Sequence, residues 1–128
     1  MTYFDQAWIR AVKSRCDETL QRADVGFTAQ DIHDEHGAVT AIMWQANPQR
    51  YAERYPDSAI VDSYGSQWPE VRDINCTLKL DESPHAVGLA IEGWGLPEVF
   101  VRVDQRGDRD GVQIANLLSR IFAVPNFR

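Results

Sequence analysis

The sequence predicts an α+β domain: a single antiparallel β-sheet of about five strands with N- and C-terminal helices packed on one face, in the order α-ββ-α-βββ-α. Three observations carry this. Apolar residues recur at helical spacing near both ends of the chain. Several short runs between them alternate apolar and polar residues with the period of a strand. Clusters of Gly, Pro, Asn and Asp separate these segments where turns are needed. The chain has 128 residues, of which 44% are hydrophobic and 25% charged. These are ordinary globular values, and they suit one domain spanning 1–128. A chain of this size buries roughly two-thirds of the surface its unfolded form exposes, so a hydrophobic core suffices to hold it.

Residues 2–23 read as a helix, because Ile9, Val12, Cys16, Leu20 and Ala23 recur at steps of three and four, with Trp8 and Thr19 beside them. Thr2 is the expected cap, and Asp24 and Gly26 mark the exit. Residues 27–46 read as a hairpin in which Val39, Thr40, Ile42 and Trp44 favour a strand and Gly37 supplies the turn's positive φ. "NPQRYAERYP" follows as a short helix with Asn47 as N-cap and Pro48 at its first position. Residues 57–72 read as loop, with room for a short strand at 59–62.

The second half predicts a meander. "DINCTLKLD" sets Ile74, Cys76, Leu78 and Leu80 on one face; "AVGLAIEGW" groups Val87, Leu89 and Ile91; "EVFVRVD" groups Val99, Val101 and Val103, with Phe100 and Arg102 opposite. One face of such a sheet needs a cover. Residues 111–123 supply it, through Val112, Ile114, Ala115, Leu117, Leu118, Ile121 and Phe122. Asp110 and Gln113 suggest a capping box, and "DQRGDRD" before the helix reads as a charged turn.

The formal net charge of −6 argues against a surface that neutralises nucleic-acid phosphates, and against binding to anionic membranes. It suits association with a basic partner. The N-terminal residues lack a basic stretch followed by an apolar one, and no apolar run approaches the roughly 20 residues that cross a bilayer. A cytoplasmic location is the expectation. Cys16 and Cys76 fall on apolar faces and are expected to be reduced core thiols.

"DIHDEHG" is the densest cluster of chemistry-bearing side chains. His33 and His36 are three residues apart, whereas the zinc-protease pattern sets its histidines four apart on a helix. On a strand, residues three apart point to opposite faces. The stretch is therefore expected to be a solvated turn, and no metal or cofactor is expected. Among the carboxylates, Glu92 beside Trp94 is the most interesting acid, on the sheet face opposite Ile91. No nucleophile elbow and no Gly-rich phosphate loop is present in the sequence.

The remaining signal is aromatic. Tyr51, Tyr55, Tyr64, Trp68 and Trp94 are expected outside the main core, near Arg50, Arg54 and Arg72. Aromatic residues and Arg are enriched at the centres of protein interfaces. Together with Glu92 these residues form the candidate contact set for another protein. The expectation is a non-catalytic protein-binding domain, open to homodimerisation. The rival is a small enzyme or ligand-binding domain with a pocket between the sheet and residues 57–72. Bacterial immunity proteins are similar in size and acidity, and type III secretion chaperones in size, acidity and mixed architecture. The chaperones place three strands, a helix and then two strands, the reverse of the partition predicted here, and no motif residue carries over to either class.

Overall fold

The computed structural model describes residues 3–54, 74–81, 83–90 and 98–122. Its elements are α1 (Gln6–Gln21), β1 (Thr28–His33), β2 (Val39–Ala46), α2 (Pro48–Arg54), β3 (Ile74–Lys79), β4 (Ala86–Ala90), β5 (Val99–Arg102) and α3 (Gly107–Ile121). The five strands form one antiparallel sheet in the spatial order β1-β2-β3-β4-β5, and the terminal helices pack against it. The α+β class and the order of elements are those expected. A possible strand at 59–62 and the loop reading of 57–72 lie outside the described residues.

Helix α1 begins later than its apolar spacing suggests. Asp5, not Thr2, is the cap: its Oδ1 accepts the Trp8 N–H at 2.8 Å. Phe4, one residue before the cap, stacks on Trp8 with ring centroids 4.0 Å apart, which fixes the direction of entry. Trp8, Ile9, Val12, Cys16, Thr19 and Leu20 form the buried stripe. At the exit the chain reverses through Asp24 and Gly26, both with positive φ.

The β1–β2 hairpin turns at Asp34–Gly37. Gly37 has a φ of +83°, as its place in the sequence requires. The less visible contributor is Asp34, whose Oδ1 accepts the backbone N–H groups of His36 (2.8 Å) and Ala38 (2.9 Å). These two donors, Ala38 first, hold the Asp34 carboxyl below its ordinary range. A bulge falls between Ile32 and His33, just before the turn. In α2, Asn47 caps as expected, its Oδ1 accepting the Arg50 N–H at 3.0 Å.

The register sorts the residues of the sheet into two faces. Ile42 pairs with Leu78 and Leu78 with Leu89, while Trp44 pairs with Cys76 and Val87 with Val101. These side chains point towards α1, because the Trp44 indole N–H donates to Asp17 of α1 at 2.6 Å and Asp31, opposite Ile42, meets Lys13 of α1 at 2.9 Å. All are buried and share one cluster with Val12, Leu20, Ile114, Leu118 and Phe122 of the helical layer and its end. The core is therefore the layer between this face and the two helices.

Helix α3 starts at Gly107, four residues before the expected 111, so part of the predicted charged turn is its first turn. Asp108 and Asp110 stand in that turn, where the helix dipole favours negative charge. The expected capping box does not form: Arg106 is the N-cap, without a side-chain cap bond. Asp110 instead points into the seam with α1. It is 1% exposed, and its Oδ2 accepts the Trp8 indole N–H at 2.9 Å. Its Oδ1 accepts the Asp104 N–H at 3.3 Å. Gly107 and Gly111 make this approach possible. A Cβ at Gly107 would lie 2.8 Å from Ala11 Cβ, and one at Gly111 3.3 Å from Val12 Cα. Their value here is lateral closeness between helices rather than backbone freedom.

Candidate functional site

The face of the sheet away from α1 and α3 carries the alternate residues. Cross-strand pairing sets Ile32, Ala41, Lys79, Gly88 and Phe100 in one row, and Gln30, Met43, Thr77 and Ala90 in the next. Ala41, Asn75 and Thr77 at the centre are nearly buried, whereas Ile32 is 37% and Phe100 59% exposed at the two margins. Lys79 Nζ lies 3.4 Å from Glu98 Oε1, an ion pair across β4. Asn75 Oδ1 and Glu98 Oε1 are buried without a hydrogen bond. Strand alternation, which puts Thr28, Gln30 and Ile32 together, and Phe100 with Arg102, is the signal by which sequence reading would find this surface.

At the β5 margin the surface breaks into two shallow depressions that share Arg102, Val103 and Asp104. One, of about 260 Å³, adds Arg109, Asp110 and Gln113. The other, of about 370 Å³, adds His85 and Gln105. Arg109 is held by Asp104 at 3.2 Å, and Asp110 is committed to Trp8. Neither depression converges polar groups on one point in the way a ligand pocket does.

Of the candidate contact residues, Tyr51 is placed elsewhere than expected. It is wholly buried; its ring meets Phe122 edge-on at 6.1 Å, and its hydroxyl donates to the Phe122 carbonyl at 2.7 Å. A buried phenol needs a partner for its hydroxyl, and the end of α3 provides one. Tyr51 thus belongs to the core and ties α2 to the end of α3. Tyr55, Tyr64, Trp68, Glu92 and Trp94 lie outside the described residues, as does Arg72. Arg50, on the exposed side of α2, is held by Asp24, its Nη2 donating to the Asp24 carbonyl at 2.9 Å and to Oδ1 at 3.2 Å.

His33 and His36 are both exposed beside the hairpin turn. The His36 ring lies 3.5 Å from Glu35, its neighbour in sequence. Among the described residues no group of three or more His, Cys, Asp or Glu side chains is placed to hold a metal ion. Cys16 and Cys76 are buried and unbridged. Burial pushes both thiols well above their ordinary range, with the Asp17 charge adding to the effect at Cys16 and Cys16 adding to it at Cys76. Thiols held protonated in this way are poor nucleophiles at neutral pH. Among the described residues, no helix is long and apolar enough to cross a membrane.

Comparison with models of known protein families, with curated proteins and with solved structures finds no match to this chain.

Proposed function

We propose that this chain is a non-catalytic protein-binding domain that holds or blocks another protein through the sheet face away from α1 and α3. The observation that carries the reading is the exposure of Phe100 at 59% and Ile32 at 37% on that face, while the opposite face is covered by both helices over its centre and open at Val99. An antiparallel sheet with one packed face commonly leaves the other to solvent, where alternation would make it polar. Here Ile32, Met43, Ala90 and Phe100 interrupt that polarity. Tyr55, Tyr64, Trp68, Glu92 and Trp94 remain in the proposed contact set on the strength of the sequence; Tyr51 does not. The net charge of −6 favours a basic partner.

Of the two roles that small acidic domains suggest, blocking a toxin-like partner is preferred. The partition of two strands before α2 and three after it is the reverse of the secretion-chaperone order. The test is purification from the native host of the wild-type chain and of Met43→Glu, which puts a charge at the middle of the outer face. A stoichiometric basic protein retained by the wild type and lost from the variant supports the reading. A small molecule retained by both, with no protein, overturns it in favour of a ligand-binding or enzymatic role.

A further inference from the structure

Among the described residues, the sheet ends at β1 on one side and β5 on the other. The two edges differ in what they offer another strand. The β1 edge is interrupted by the bulge at Ile32/His33, and its Asp31 is held by Lys13. Bulges and charges of this kind discourage edge-to-edge pairing. β5 has no bulge, and Glu98 just before it is the one charge here with a partner in its own copy, Lys79 at 3.4 Å, from which it would turn to a second copy. With the residue before it, the strand is apolar between two opposite charges: Glu98, then Val99, Phe100, Val101 and Arg102.

The backbone polarity of β5 follows from one bond. Val103 N–H donates to the His85 carbonyl at 2.8 Å, so residue 103 faces β4 with its hydrogen-bonding groups. Alternation then gives Val101 and Val99 to β4, and turns the N–H and C=O groups of Phe100 and Arg102 outward. The same parity puts the Phe100 and Arg102 side chains on the outer face of the sheet. Phe100 is the most exposed large apolar residue described, and Val99 is 40% exposed beside it. Among the described residues, Arg102 has no ion pair or hydrogen bond.

We propose that two copies of the chain associate about a two-fold axis by antiparallel pairing of β5 with β5, in the register that sets Phe100 opposite Phe100. In that register the strand is complementary to itself, and each charge meets its opposite. Phe100 meets Phe100 across the axis, Val99 meets Val101, and Glu98 meets Arg102 on each side. Phe100 exchanges its outward N–H and C=O with the same groups of the second copy, since it is an outward-facing position. A register shifted by two residues, about Glu98 or about Arg102, puts like charges opposite each other. Two-fold pairing admits only registers in which a residue meets its own copy, because opposite residues must share a face; this leaves few alternatives. The product is one continuous sheet joining the five described strands of each copy, with α1 and α3 of both copies on one side. Phe100 enters both this inference and the reading of the outer face as a binding surface, but the two are separable: this one concerns the edge of β5 and is read by sedimentation, the other is read at Met43.

The test is sedimentation velocity on the full chain at rising concentration, with charge variants of the edge. The wild type is expected to dimerise. Glu98→Arg and Arg102→Glu each create two like-charge oppositions and are expected to raise the dimer dissociation constant by roughly tenfold or more. An equimolar mixture of these two variants restores every opposition and is expected to form a heterodimer. Phe100→Lys, at a position too exposed to threaten folding, is also expected to be monomeric. A wild type that stays monomeric at the highest concentration overturns the proposal. So does a dimer that survives both charge variants, or a mixture that fails to associate when each variant alone has a folded circular-dichroism spectrum.

Discussion

The two faces of the sheet are built from the same strands, one residue out of phase, and the protein treats them differently. On the helix side, Ile42, Leu78 and Leu89 form an unbroken buried row, and the Trp44 indole is hydrogen-bonded to Asp17. On the other side the corresponding row runs Ile32, Ala41, Lys79, Gly88, Phe100. It mixes small, charged and large apolar residues, and is exposed at both ends. The first face has the composition of a core. The second has the mixed composition of a surface. A sheet can therefore assign stability to one phase of its alternation and, in the function proposed above, contact to the other.

Substitutions can break that division, beginning where the effect is greatest. Leu78→Ala removes a fully buried side chain from the middle of the covered row and is expected to lower unfolding free energy by about 2–5 kcal/mol, measured by urea denaturation. Gly107→Ala puts a methyl group against Ala11 and forces the helices apart, at a cost of about 1–3 kcal/mol. Unchanged stability there would mean that the α1–α3 seam has slack. Asp110→Ala leaves the buried Trp8 indole N–H unpartnered, with an expected loss of about 1–3 kcal/mol. Asp110→Asn, which keeps an acceptor, should lose less.

Asp34, at the hairpin tip, belongs to neither face. Its folded-state pKa is depressed, so its contribution is present above the ordinary carboxylate range and is lost as pH falls through the folded value. The stability difference between wild type and Asp34→Ala should therefore shrink on acidification. A difference that stays constant with pH would separate the turn's stability from the carboxylate. The smallest effect belongs to the outer face, where Ile32→Thr is expected to stay within about 0.5 kcal/mol of wild type. A large loss there would abolish the distinction between the faces.

How far the sequence reveals these features depends on where each one's cause lies. The alternation of Cys76, Leu78 and Leu80 is local, and it gives the sheet its phase without knowledge of any neighbour. The turn at Gly37 and the cap at Asn47 are equally local. Tyr51 is not. Beside Tyr55, Arg50 and Arg54 it resembles part of an exposed amphipathic turn, yet its hydroxyl finds its acceptor 71 residues away at Phe122. The start of α3 was obscured in the same way. Gly107 reads as part of a charged turn until Ala11 is seen against it, and Asp110 reads as a cap until Trp8 supplies a donor. Of the candidate contact residues, composition could suggest aromatics, but exposure at Phe100 and Ile32 follows from which face the helices choose.

The glycine-lined seam between α1 and α3 also bears on the order of events when the protein is made. Trp8 and Asp110 are 102 residues apart in the chain. The apolar stripe of α1 emerges from the ribosome while the helix that packs beside it is still unsynthesised. Until residues 107 and 111 arrive, α1 must wait on an incomplete sheet with Trp8 uncovered on one side. Closing so long a loop is slow compared with forming a hairpin. During synthesis, then, the Trp8 side of α1 stays without its packing partner until α3 is made, and α3 acts as the latch that ends the exposure.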